Sequence, residues 1–160
     1  MKILILTLFA TISWSYDCNV HKIYCKVVKT KPNINKAYAK RLSDLLYKHS
    51  ETPMISVAIS MQENLLRFSH RYERVYVDGK TIQGVSDFGP FQIHIDTAKR
   101  YNLDLKKLDT DLEYNVIWHS KILKEKIRIC KKLGKKAFSC YHSFTPELRE
   151  AYYRKVMRFM

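Results

Sequence analysis

Glu63 closes the apolar run Met54-Ile55-Ser56-Val57-Ala58-Ile59-Ser60-Met61, one residue past Gln62. A carboxyl among apolar neighbours loses solvation of its charged form, so its pKa rises and it holds a proton near neutral pH. That is the requirement on a general acid that protonates the leaving oxygen of a glycosidic bond. A negative charge at a helix C-terminus also opposes the helix dipole, so its place there calls for a reason. The plainer reading is a glutamate on a solvated helix end. Ordinary glycoside hydrolysis needs a second carboxylate to activate or replace water. Asp87 is the better candidate and Asp78 the other, although Asp87, two residues before Gly89, can equally fix a turn. No metal centre and no cofactor are expected: neither C-x-x-C nor H-E-x-x-H spacing occurs, and the six histidines are scattered.

The elements that must position these groups are mostly helical. Asn33 to His49 carries Ile34, Tyr38, Leu42 and Leu45 at helical spacing. Thr52-Pro53 reads as N-cap and first helical residue of the run that ends at Gln62-Glu63, and that helix is apolar nearly all round, hence buried. Residues 70–89 change character. Val75-Tyr76-Val77 is β-prone, Asp78-Gly79 is a hairpin turn signal, and Thr81-Ile82 can return. Three of the four glycines (Gly79, Gly84, Gly89) fall in this stretch, so a small hairpin-and-loop lobe interrupts a helical protein. Asp111 to Leu133 reads as a long helix with Leu112, Val116, Leu123, Ile127 and Cys130 on one face and Gly134 as its stop. Residues 135–143 read as a short helix, and Pro146 opens a last one ending near Met157.

A chain of 160 residues accommodates one domain, and 46% apolar with 12% aromatic residues fills a core and excludes a disordered tail. The formal charge of +14 points to polyanions. Met1-Lys2 followed by the apolar run Ile3 to Ile12, with Ser13 and Ser15 spaced as a cleavage site, reads as a signal peptide over residues 1–15, too short to span a bilayer of ~30 Å. The other reading is a buried first element of a cytosolic fold. The expected product is exported to the periplasm, cell envelope or medium, with residues 16–160 as its single domain. Four cysteines, Cys18, Cys25, Cys130 and Cys140, then suit disulfides. Three pairings are open, of which the local ones, Cys18–Cys25 and Cys130–Cys140, are simplest.

Beyond Glu63 come Gly89-Pro90-Phe91-Gln92-Ile93, Asp111-Leu112-Glu113-Tyr114-Asn115-Val116, Cys140-Tyr141-His142 and Tyr152-Tyr153-Arg154-Lys155-Val156. A glutamate ending an apolar helix, then G-x-x-Q-I after a loop, and these later segments in this order resemble the lytic transglycosylase group of the lysozyme-like superfamily. The likeness covers roughly residues 53–157. Three departures stand out: Asn64 where the family has serine, Pro90-Phe91 in place of leucine-methionine, and His142 in place of asparagine. The resemblance implies a mainly α (α+β, lysozyme-like) fold with the hairpin lobe beside a cleft. It also implies cleavage of the MurNAc–GlcNAc β-1,4 bond of peptidoglycan with formation of a 1,6-anhydro ring. Glu63 would be acid and then base. Gln92, Phe91 and Tyr141 would line the cleft and Tyr152 border it.

Two rivals remain at this stage. One is a lysozyme-type muramidase using Asp87. The other is a non-catalytic binder built on the lysines between Lys121 and Lys136, docking on acidic wall polymers or an anionic membrane surface. The commoner explanation of such a run is the solvated outer face of a core helix. Nucleic acid is not an expected partner of an exported protein. Nothing in the sequence assigns a secretion-system or phage assembly partner.

Overall fold

The computed structural model describes residues 17–18, 21–69, 71–77 and 80–160, and within 71–83 and at 85 the backbone alone. The expected signal peptide and the Asp78-Gly79 turn lie outside the described residues. Among these described residues seven α-helices and three strands follow in order: α1 (Lys22–Thr30), α2 (Lys36–His49), α3 (Pro53–Asn64), β1 (Arg71–Val77), β2 (Lys80–Phe88), β3 (Ile93–His94), α4 (Ile95–Arg100), α5 (Leu105–Thr110), α6 (Leu112–Lys132) and α7 (Pro146–Met157), with a 3-10 turn at Ala137–Cys140 before α7. The molecule is mainly helical with a small antiparallel sheet of order β1-β2-β3. Among the described residues no helix is long and apolar enough to cross a membrane.

Local chemistry accounts for most boundaries. The Asn35 side chain accepts from the Tyr38 N–H and starts α2, and Asp111 accepts from the N–H groups of Glu113 and Tyr114 and starts α6. Pro53 and Pro146 sit in the first turns of α3 and α7, where a missing N–H costs nothing. Gly134, at φ 64°, closes the chain after α6. Val77 faces Lys80 across a two-residue connection, the hairpin that Asp78-Gly79 announces. Helices α1, α4 and α5 and the two-residue strand β3 go beyond the sequence reading. Each is short, and so carries too few periods to show a pattern.

Three cores share α6 as a wall, and two of them share α3 as well. The first joins Ile23 and Val27 of α1, Leu42 and Leu46 of α2, Val57 and Met61 of α3, and Val116 of α6. In the second, Ala58 and Ile59 of α3 meet Leu123, Phe138, Tyr152 and Val156. The third packs Phe88 and Ile93 of the sheet with Leu108 and Ile122. Helix α3 is therefore covered on every side, and Ser56 through Met61 are all buried. Burying one such aliphatic side chain stabilises by about 1.5–3 kcal/mol, which is what holds α3 in place against the dipole cost at its end.

Two local bridges are present, Cys18–Cys25 and Cys130–Cys140. The second straddles the turn between α6 and the 3-10 segment. Both fit an oxidising, non-cytoplasmic setting.

Candidate active site

Glu63 lies in the last turn of α3, and the chain leaves that helix abruptly. Leu65 and Leu66 both adopt left-handed backbone, at φ 47° and 63°. Each such non-glycine residue costs roughly 1–2 kcal/mol. The wind-up is closed by the Leu65 N–H donating to the Met61 carbonyl and the Leu66 N–H to that of Ser60. It is offset by burying Leu66 in the first core and by Lys31 Nζ donating to the Leu65 carbonyl at 3.0 Å. Strain next to a candidate acid is a recurring feature of functional sites. The Asn64 amide donates to the Arg67 and Ser69 carbonyls and the Ser69 hydroxyl, so it pins the exit loop.

Opposite, residues 89–92 form the tight connection from β2 to β3. Gly89 has φ 71° and Gln92 φ 47°. A Cβ on Gly89 would overlap the Asn115 side chain, whose amide donates to the Phe88 carbonyl at 3.2 Å and the Leu108 carbonyl at 3.0 Å. The Ser60 hydroxyl of α3 donates to the Pro90 carbonyl at 2.9 Å. The turn is thus fastened to α3 on one side and α6 on the other, and Glu63 and Asp87 are held in one frame.

A cleft of about 180 Å³ opens between these elements, lined by Glu63, Asp87, Gln92, Tyr141, His142 and Lys126 among others. A second hollow of about 240 Å³ lies beside it, lined by Gln62, Glu63, His142, Leu148, Tyr152 and Lys155. Glu63 and His142 line both. Asp87 is buried in β2, where the Ser86 hydroxyl donates to it at 2.6 Å. The Gln92 amide donates to the carbonyls of Gly89 at 2.8 Å and Ser69 at 3.2 Å, tying the turn to the α3 exit loop.

Two phenols face the glutamate. Burial above all, then the Glu63 and Asp87 carboxylates, push Tyr141 well above the ordinary tyrosine value. Burial and then Glu63 do the same to Tyr152. Both phenols therefore stay protonated and can donate. The Tyr152 hydroxyl lies near Glu63 without reaching ordinary hydrogen-bond geometry, and the His142 ring stacks on the Tyr152 ring with centroids 4.9 Å apart.

Of the expected site residues, Glu63, Asp87, Gln92 and Tyr141 meet in one cleft and Tyr152 borders the adjoining hollow. Phe91 is the correction. It is fully buried, belongs to the first core, and stacks on the His119 ring with centroids 3.8 Å apart. An apolar ring beside a buried imidazole gains more from packing than from facing water, so it supports the cleft from behind. Phe91 touches the site only through its carbonyl, 3.4 Å from the Tyr141 hydroxyl.

His119 is the residue sequence reasoning passed over. Fully buried on α6, it places Nδ1 2.9 Å from the Tyr141 hydroxyl, and burial lowers its pKa to about 3. It stays neutral across the physiological range and so holds Tyr141 by a hydrogen bond without adding charge. Its position four residues after Asn115, on the apolar face of α6, was the one available signal.

No protein-family model, curated protein or solved structure matches this chain.

Proposed function

We propose that this protein cleaves the MurNAc–GlcNAc β-1,4 bond of peptidoglycan glycan strands as a lytic transglycosylase. The observation that carries the reading is the place of Glu63 on the shared rim of two adjoining hollows, where a sugar chain crossing from one to the other puts its linkage over the carboxyl. Glu63 ends a helix that is covered on every side, and the protonated phenols of Tyr141 and Tyr152 beside it are donors that can orient its carboxyl.

In the proposed reaction Glu63 gives its proton to the glycosidic oxygen as the bond to C1 of the muramic sugar breaks, and GlcNAc leaves as an alcohol. The Glu63 carboxylate then takes the proton of the C6 hydroxyl, whose oxygen bonds to C1 and closes the 1,6-anhydro ring. No water is consumed, and Glu63 ends protonated as it began. Gln92 and Tyr141 would hold sugar groups in the cleft. The two disulfides fit the compartment outside the cytoplasm where such a substrate lies.

The hydrolase reading has one observation in its favour: Asp87 lines the same cleft as Glu63. Mass spectrometry of muropeptides released from purified sacculi separates the readings. The transglycosylase yields anhydro-muramic ends and a Glu63→Gln variant loses on the order of 10³-fold in rate. Reducing ends that disappear in Asp87→Asn would assign the hydrolase instead. Full release by Glu63→Gln would overturn both, and binding to sacculi without release would leave a wall-binding protein.

A further inference from the structure

We infer that the outer face of α6 and the turn that ends it dock this protein on an anionic lipid bilayer. No acidic residue occurs between Glu125 and Glu147, whereas Arg128, Lys131, Lys132, Lys135 and Lys136 do, the last ion-paired with Glu150 at 3.0 Å. At the centre of that stretch Leu133 is 53% exposed, and residues 131–137 are exposed without interruption. The turn is built rather than loose. The Leu133 N–H donates to the Ile129 carbonyl, Gly134 to Lys131 and Lys135 to Cys130, at 3.0, 3.1 and 2.8 Å, and Cys130–Cys140 ties its base. A leucine is therefore carried on a rigid tip with two lysines on either side.

Next to the tip, a hollow of about 290 Å³ separates α6 from residues 50–52. Lys124, Ile127, Arg128 and Lys131 line it from α6, and Lys124 is ion-paired with Glu51 across it. Cations around an isoleucine suit a phosphate headgroup with the start of its acyl chains. Lys131 belongs to both the hollow and the tip, so the two form one surface.

The charge alone would suit any polyanion; Leu133 decides for lipid. A hydrated wall polymer offers nothing to an exposed leucine, whereas a bilayer interface buries it beneath the headgroups that the lysines hold. Orientation adds a consequence. At about 100° per residue, Lys124, Arg128 and Lys131 lie roughly 120–180° around α6 from Ile122 and Lys126, which line the Glu63 cleft. Docking leaves that cleft open and turned away from the bilayer. The inference is independent of what the cleft does.

Flotation with vesicles tests it. Phosphatidylcholine vesicles containing about a third phosphatidylglycerol should carry the protein at low salt, and pure phosphatidylcholine vesicles should not. Replacing Lys131, Lys132 and Lys135 together by Gln should weaken binding on the order of 100-fold, at about fivefold per lysine. Leu133→Asp should weaken it at least about tenfold, while Leu105→Asp, at an exposed leucine on α5, should not. Unchanged thermal unfolding of each variant shows that the fold is intact. Equal binding to neutral vesicles, or tip variants that float like the wild type, would overturn the proposal. So would binding to an acidic polymer, but not to vesicles, that Leu133→Asp leaves unaltered.

Discussion

At the scale of the residue, the pair His119–Tyr141 explains how a buried phenol comes to be fixed beside the Glu63 and Asp87 carboxylates. Burial keeps the His119 imidazole neutral, so it holds the Tyr141 hydroxyl without bringing a positive charge to it. The same burial makes stability depend on pH, with a definite sign. Unfolded, the imidazole takes up a proton near 6.5, but folded it stays neutral down to about 3. The folded state binds fewer protons between those values, so its stability is full above about pH 6.5 and declines toward pH 3, by up to about 1.4 kcal/mol per pH unit. His119→Phe keeps a ring against Phe91 and removes the titration. Urea unfolding at pH 7 and pH 4.5 should show the wild type losing about 2.5 kcal/mol more than this variant on acidification; equal losses would refute the assignment. The exposed Glu113 acts on a lower range. Hydrogen bonds from Lys48 and His49 hold its carboxyl down to about 2, so that contribution disappears only as pH falls from about 4.5 toward 2.

At the scale of the element, the connection 89–92 matters more than its length suggests, because Ser60 holds it from α3 and Asn115 approaches it from α6. Its two glycine-like positions differ from the glycine after α6 in a way that can be measured. Gly89 and Gly134 both have positive φ, yet a Cβ at Gly134 meets nothing, whereas at Gly89 it strikes the Asn115 amide. Gly134→Ala should cost about 1 kcal/mol, the backbone penalty alone. Gly89→Ala should cost about 3 kcal/mol, since the amide must also move and lose its grip on the Phe88 carbonyl. Thermal or urea unfolding of the two variants reads the difference directly, and similar losses would show that Asn115 yields freely. The proposed cleavage should fall with Gly89→Ala, because Asp87 and Gln92 flank the turn.

For the molecule as a whole, α6 walls all three cores and α3 two of them, and the disulfide Cys130–Cys140 fastens the far end of α6 to the segment that delivers Tyr141 to the cleft. The Cys140 N–H also donates to the Cys130 sulfur at 2.9 Å. Replacing both cysteines by Ser should lower stability by about 3 kcal/mol, the loop-closure figure for a ring this short. It should lower the proposed cleavage as well, since Tyr141 is the next residue after Cys140. Denaturation midpoints and muropeptide release measured together would test the link; lost stability with full activity would separate the bridge from the site.

Much of this arrangement is written locally. Asp111 as a cap, Pro53 and Pro146 as helix starts, Gly134 as a stop and the flanks of Asp78-Gly79 as a hairpin all rest on interactions within a few residues, which a sequence carries in full. So does the covered nature of α3, because apolar residues on every face of a helix leave it no side for water. The sequence left three cysteine pairings open and could not say that Phe91 belongs to the core. An aromatic ring gains from burial against protein or sugar alike, and only the neighbours present decide. Nor could it show that Glu63, Asp87 and Tyr141, drawn from three separate elements, converge. That depends on how α3, the sheet and α6 pack together, and on the left-handed pair Leu65-Leu66, whose strain is tolerated only because the finished fold buries Leu66.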